Sequence, residues 1–360
     1  MKISINCFSD SELKNIIASK KRKGVCEITN VSNAFIYDTE SDLELVEPII
    51  DLLSIFRIAK SSDWTGGFSI GDELKQNWHI FSPHLAAAQI TTILKSIVRD
   101  SEYARGFGVE DELFSSLVFI PELTDSAFVE KQSMLSNMTW EEFCEEIKYS
   151  NRYHPKPIKE DIFWELFGLL KATYDANTFF YRARLSKQKV FFNENDLRMP
   201  PKDLRKAGRI ASDGIPCFYL ANEEETSICE VRGGAHDIVS IGTFSNIKPI
   251  QVIDLRNINN ISPFNVSSIL LYRINIKLLD SIKKEIEKPL RSSDSSLDYV
   301  PIQFICDYIR AKKYDGIVYR STIRENGFNL SAFDDSAFIC KEIKRYTITK
   351  IDYDFALSKL

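Results

Sequence analysis

The chain has little of what several large enzyme classes depend on. Four histidines occur in 360 residues, with no pair at helical spacing and no HExxH or CxxC pattern, so there is no ready-made metal site. No serine sits in a GxSxG elbow, and with so little histidine a Ser-His-Asp hydrolase finds little support. No GxGxxG follows a strand-like run, so any dinucleotide here is not bound as in a Rossmann fold. Apolar stretches such as Leu113 to Ile120 fall far short of the ~20 residues that span a bilayer. The opening Met1-Lys2-Ile3-Ser4 leads into a polar segment that does not read as a signal peptide. The seven cysteines (Cys7, Cys26, Cys144, Cys217, Cys229, Cys306 and Cys340) are odd in number and scattered, which predicts reduced thiols and a cytoplasmic home.

What is present is an ordinary globular composition, 44% hydrophobic and 27% charged. At 360 residues the chain is long enough for two domains. A net charge of −5 gives no general attraction to nucleic acid or to an anionic membrane. Local basic runs, Lys20-Lys21-Arg22-Lys23 and Lys202 to Arg209, read first as solvated faces.

Helix signals dominate the first 175 residues. Ser41 with Glu44 forms a capping-box pattern before apolar Leu43, Val46, Ile49, Ile50 and Leu53, with Pro48 placed to kink the helix. Ser82-Pro83 predicts an N-cap and first helical residue leading through Leu85, Ile90, Ile93 and Ile97. Further helices are predicted from Thr139-Trp140 and over Ile158 to Leu170. After about Asn177, strand-like runs appear at Cys217–Ala221, Ile238–Phe244, Ile250–Leu255, Gly316–Tyr319 and Tyr346–Ile351. Helices interrupt them around Ser267–Lys288 and Pro301–Lys313, an α+β pattern without regular βαβ alternation.

Three places could carry chemistry. In Tyr181-Arg182-Ala183-Arg184 the two arginines share one strand face, so both could meet one anion; from spacing alone, a salt-bridged strand edge is the favoured account. Asn222 with Glu225 forms a helix-start signature leading to Thr226 and Glu230, four apart on one helix face. Apolar Ile228, Cys229 and Val231 flank Glu230, so its carboxylate requires a basic or hydroxyl partner, Arg232 being the nearest basic residue. Finally, Tyr314 to Ser321 is a strand ending in serine, a position usually filled by a simple cap.

Taken in order, these pieces resemble a known family. Tyr181-Arg182-Ala183-Arg184, Gly208-Arg209, Gly214-Ile215-Pro216-Cys217-Phe218-Tyr219-Leu220-Ala221, Glu225-Thr226 with Glu230-Val231-Arg232, Val239 to Phe244 and Ile253-Asp254-Leu255 are similar to the RES domain. So are Asp298 to Gln303 and Tyr319-Arg320-Ser321 with Asn329 and Phe333, giving a match from about Phe179 to Phe333. The arginine, glutamate and serine for which the family is named fall on Arg182, Glu230 and Ser321.

The resemblance implies an α+β chain: residues 1–60 a degenerate zinc-ribbon-like extension, 61–175 a helical region, and 176–360 an ADP-ribosyltransferase-like domain with mixed and antiparallel sheets. It implies a toxin that cleaves NAD by hydrolysis or by phosphorolysis with inorganic phosphate. NAD is then substrate, no cofactor is called for, and an Xre-type antitoxin is the implied partner. A homo-oligomer stays open, and no membrane or direct nucleic-acid partner is expected. In the extension, Ser4 and Thr29 stand where cysteine partners of Cys7 and Cys26 would be, and two thiolates cannot complete a tetrahedral zinc site, so no zinc is expected. Carried over by position, Glu230 stabilises developing positive charge and Arg182 and Arg209 hold phosphates. Tyr219 stacks on a ring, Ser321 bonds substrate, and Arg184 and Asn329 line the substrate site. Ala211 replaces an asparagine common in the family, which predicts weakened ligand positioning. Two alternatives stay open: ADP-ribosyl transfer to a macromolecule, and a weakly catalytic binding or sensing module.

Overall fold

The computed structural model describes residues 1–59, 67–98, 111–136, 138–154, 158–186, 191–289 and 295–351. They form two compact units, each assembled from separate stretches of chain. One comprises Met1–Thr139, Lys156–Leu169 and Asn257–Asp280; the other comprises Trp140–Pro155, Leu170–Arg256 and Ser281–Leu360. Among the described residues no helix is long and apolar enough to cross a membrane.

The first unit carries the helices Ser11–Ser19, Val46–Ser54, Ile70–Asn77, Ala87–Val98, Ser126–Gln132 and Glu160–Gly168. It also holds two small antiparallel sheets that the helical reading did not anticipate. In one, β1 (Lys2–Ser4), β2 (Lys23–Gly24) and β3 (Ala34–Asp38) lie in the order β1-β3-β2. In the other, β4 (Arg57–Ile58), β5 (Phe68–Ser69) and β6 (Leu117–Phe119) lie in the order β4-β6-β5. Residues 60–66 and 99–110, which fall within the expected helical region, lie outside the described residues.

Two helix starts differ from expectation, each because a stronger local bond wins. The Ser41–Glu44 capping box does not form: Glu44 pairs with Lys20, and Ser41 lies against Asp42 and Arg22. The helix begins instead at Val46 and leaves Leu43 exposed. Pro48 is then its third residue, where an N–H would have no helical partner anyway, so no kink is called for. At Ser82 the backbone N–H is held by the carbonyl of Cys7 at 3.0 Å, which ties the segment to the N-terminal strand region and delays the helix to Ala87.

Cys7 and Cys26 meet in the same unit, both wholly buried, with sulfurs 3.6 Å apart. The hydrogen bond from Cys7, with a smaller contribution from the Ser4 side chain, pulls the Cys26 thiol down to about 4 against the effect of burial, while Cys7 is pushed up by that same pairing and by burial. Ser4 and Thr29 do stand beside the thiols. They supply hydroxyls where a structural zinc site needs thiolates or imidazoles, so the donor set does not fit zinc.

The second unit is built on an eight-stranded sheet: β7 (Lys171–Tyr174), β8 (Phe179–Ser186), β9 (Phe218–Ala221), β10 (Ile238–Asn246), β11 (Ile250–Asp254), β12 (Gly316–Arg320), β13 (Phe328–Ala332) and β14 (Phe338–Thr347). Their order is β14-β10-β8-β9-β13-β12-β11-β7, antiparallel throughout except for β11 beside β12. The chain is therefore α+β, as its sequence predicts. Phe180, Phe218, Phe244, Phe338, Val252, Val318 and Leu330 form its main apolar cluster, with Phe218 edge-on to Phe244 at 5.1 Å. Burying each such ring stabilises by roughly 1.5–3 kcal/mol, and the edge-to-face contact adds on the order of 1 kcal/mol.

The last strand was misplaced by the sequence reading. It runs over Phe338–Thr347 and pairs with β10 along its length, with a bulge between Thr243 and Phe244. Its charges, Lys341, Glu342, Lys344 and Arg345, break the apolar alternation because this is an edge strand, and charged side chains keep such an edge from pairing with another chain. The two long helices run over Ile269–Ile286 and Val300–Ala311, close to expectation.

Candidate functional site

Strands β8 and β9 are neighbours in the sheet, yet they share a single pair, Tyr181 opposite Ala221. A ladder with one rung cannot hold two strands side by side, so the sheet splays there. A cavity of about 330 Å³ opens at the splay, lined by β8 and β9, the helix Glu224–Glu230, the ends of β12 and β13, and the Gly208-Arg209 turn. It lies wholly within the second unit.

Glu230 ends the helix Glu224–Glu230. A carboxylate there opposes the helix dipole, which disfavours negative charge in the last turn. Two neutral donors compensate: Ser321 Oγ at 2.7 Å and Asn329 Nδ2 at 2.8 Å, both to Oε1. Ser321 and Asn329 are 8% and 6% exposed, so the bonds are shielded from water. The Ser321 hydroxyl also accepts the amides of Ile323 and Arg324, each at 3.3 Å, which directs its own proton to Glu230. Expectation allowed an ion pair with Arg232; the partners are instead a hydroxyl and an amide. Their difference matters, because neutral donors orient the carboxylate without cancelling its charge.

The predicted start of this helix is corrected. Asn222 does not cap it: its side chain accepts the Phe328 amide at 2.8 Å and its own amide donates to the Phe328 carbonyl, tying β9 to β13. That cross-strand tie brings Asn329, the next residue, under Glu230.

The arginines separate. Arg182 lines the cavity, donates from Nη1 to the Tyr219 carbonyl at 3.0 Å and lies over the Phe218 ring. Burial, with Arg184 two residues away, lowers it to about 10, still protonated at neutral pH. Its buried Nε has no partner among the described residues. Arg184 shares its strand face but not its site: the guanidinium lies over Phe192 and donates to the Asp196 carbonyl at the end of the short helix Glu194–Leu197. Cation at a helix C-terminus is the favourable arrangement, and it keeps Arg184 out of the residues lining the cavity. Arg209 lines the cavity and reaches the carbonyls of Ile286 and Lys288 at the end of the helix Ile269–Ile286.

Tyr219 also lines the cavity, its buried hydroxyl unpartnered among the described residues. Gly208 lies so close that a Cβ there would stand 2.5 Å from that hydroxyl. Ala211 is buried and is not among the lining residues; its carbonyl, like that of Gly208, accepts from Gln303. The asparagine expected at 211 would thus enter a packed interior before it met ligand.

Tyr181, Ser227, Tyr319, Arg320 and Thr322 line the cavity as well and were not singled out from sequence. Tyr181 stands next to Arg182 on β8, where alternation assigns neighbours to opposite faces, yet both line the cavity at the splay. The assembled site offers one oriented carboxylate, three guanidiniums at its lining and several hydroxyls. That suits an anionic ligand with a centre that becomes cationic.

Comparison with known proteins bears on this same stretch. The family described as "RES domain" matches residues 180–356. No curated protein matches the chain significantly. Among solved structures, the chain is similar to a chain in the crystal structure of the M.tuberculosis MbcT-MbcA toxin-antitoxin complex, at 12% identity and a TM-score of 0.31, covering 52% of this chain and 93% of that one.

Proposed function

Through residues 180–356 the chain belongs to the RES domain family, and from that premise we propose that it cleaves the nicotinamide–ribose bond of NAD. The observation that carries this reading is Glu230, held on Oε1 by Ser321 and Asn329 in a cavity also lined by Arg182 and Arg209. In NAD the leaving nicotinamide starts cationic and departs neutral, so departure needs no general acid. Charge builds instead on the ribose, as in the oxocarbenium-like transition state of glycoside cleavage. A fixed carboxylate stabilises that charge as it develops, more than it stabilises the ground state. Arg182 and Arg209 bind the pyrophosphate through charge-assisted bonds, and Tyr219 packs on a ring of the substrate. Water or inorganic phosphate then takes up the ribosyl carbon.

The wider reading follows the family: a toxin acting in the cytoplasm, restrained by an Xre-type antitoxin. Product analysis tests the activity. Purified protein incubated with NAD releases nicotinamide, together with ADP-ribose in plain buffer or its 1″-phosphate when phosphate is the acceptor. Folded protein that binds NAD and releases no nicotinamide overturns the reading, and label from NAD found on a macromolecule transfers it to ADP-ribosyl transfer.

A further inference from the structure

We propose that Gln303 is the positioning residue for Arg209, fixing the Gly208–Ser212 turn through its backbone. Gln303 lies on the helix Val300–Ala311, is 5% exposed, and does not line the cavity. Its Nε2 donates to the carbonyls of Gly208 at 2.7 Å and Ala211 at 3.2 Å, and its Oε1 accepts from Ser212 Oγ at 2.9 Å. One carboxamide therefore binds three of the five residues of the turn: Gly208 immediately before Arg209, and Ala211 and Ser212 after it. The turn has few bonds of its own across it, chiefly Gly208 N–H to the Ala211 carbonyl at 2.9 Å.

The chemistry selects glutamine at this place. Two carbonyls require two N–H donors, and a hydroxyl proton requires an acceptor; only a carboxamide presents both from one side chain. Glutamate would set a carboxylate against two carbonyl oxygens, and lysine or arginine would leave Ser212 unanswered. On the other side the turn has no slack, since Gly208 abuts the Tyr219 hydroxyl. Gln303 thus sets where Arg209 emerges into the cavity. Because it acts on main-chain carbonyls, it does so whatever side chain stands at 211.

The kinetic test rests on the NAD reading, and a second readout does not. Gln303→Met keeps volume and removes the polar bonds. Because Arg209 holds the pyrophosphate in ground and transition states alike, we expect the KM for NAD to rise about tenfold with kcat within about threefold. In an Arg209→Ala background the same change should shift KM by less than about twofold, since coupled residues are not additive. An equal KM effect in both backgrounds, or none in either, overturns the proposal while leaving NAD cleavage intact. Should the wild type release no nicotinamide, the NAD reading fails, and hydrogen exchange decides this one. Exchange at the Gly208 amide more than about tenfold faster in Gln303→Met, with β10 unchanged, supports it; unchanged exchange at Gly208 overturns it.

Discussion

Replacing Glu230 by glutamine separates charge from shape at the centre of the site. Glutamine Oε1 can accept the same bonds from Ser321 and Asn329, made at 2.7 and 2.8 Å in the wild type, so the surrounding turn keeps its geometry. What disappears is a unit negative charge. Opposite charges ~4 Å apart interact by about 1 kcal/mol in water and about 4 kcal/mol at the effective dielectric of a partly shielded protein site. With the donors of Glu230 shielded, we take ~3–4 kcal/mol, which lowers kcat on the order of a hundred- to a thousand-fold. The same substitution relieves a carboxylate from a helix C-terminus, worth roughly 0.3–1 kcal/mol, so thermal stability should hold or rise slightly. The assay is nicotinamide release by chromatography beside a melting curve. A kcat within fivefold of wild type, in protein melting at the wild-type temperature, refutes the electrostatic role of Glu230.

Ser321→Ala removes one donor to Glu230 and the acceptor for the amides of Ile323 and Arg324; a stability loss of about 1–3 kcal/mol in urea titration and a lower kcat are expected, and an unchanged midpoint would contradict the assignment. Gly208→Ala must displace the Tyr219 ring, costing about 1–3 kcal/mol and raising the KM for NAD, both read from one purified variant. Phe218→Ala opens a void in the main apolar cluster and should cost about 3–5 kcal/mol by the same titration. The Cys26 thiol, lowered to about 4 in the folded state by its bond from Cys7, titrates near 8.5 when unfolded. A depressed folded value gives stability present above the unfolded one and lost as pH falls toward the folded one. The stability gap between wild type and Cys26→Ser should accordingly shrink from pH 8 to pH 5, and a gap constant across that window counts against a thiolate at Cys26.

Much of the second unit was legible because its signals are local. β9, β10, β11 and β12 announce themselves by short apolar runs between turn residues, and the helix Val300–Ala311 by a proline in its first turn and an apolar face. β14 was displaced in the reading because an edge strand is selected for charge as much as for burial. The capping patterns at Ser41, Ser82 and Asn222 were each valid motifs whose side chains or backbone were claimed by more distant partners: Lys20, Cys7 and Phe328. The pairing of Arg182 with Arg184 failed as a site for the same reason, since a helix end took the second guanidinium.

By itself, then, the amino-acid order determined the α+β class and the motifs of the RES domain, and it pointed to Arg182, Glu230 and Ser321 as a candidate set. Periodicity and turn chemistry act over a few residues, and a family's motifs survive as text. Tertiary structure alone decided which of these groups meet. The single-rung junction of β8 and β9 opens the cavity, and the β9–β13 tie carries Asn329 to Glu230. Gln303 reaches across 95 residues to Gly208. Those encounters depend on strand order and on where a sheet stops pairing, and neither leaves a mark in the local sequence.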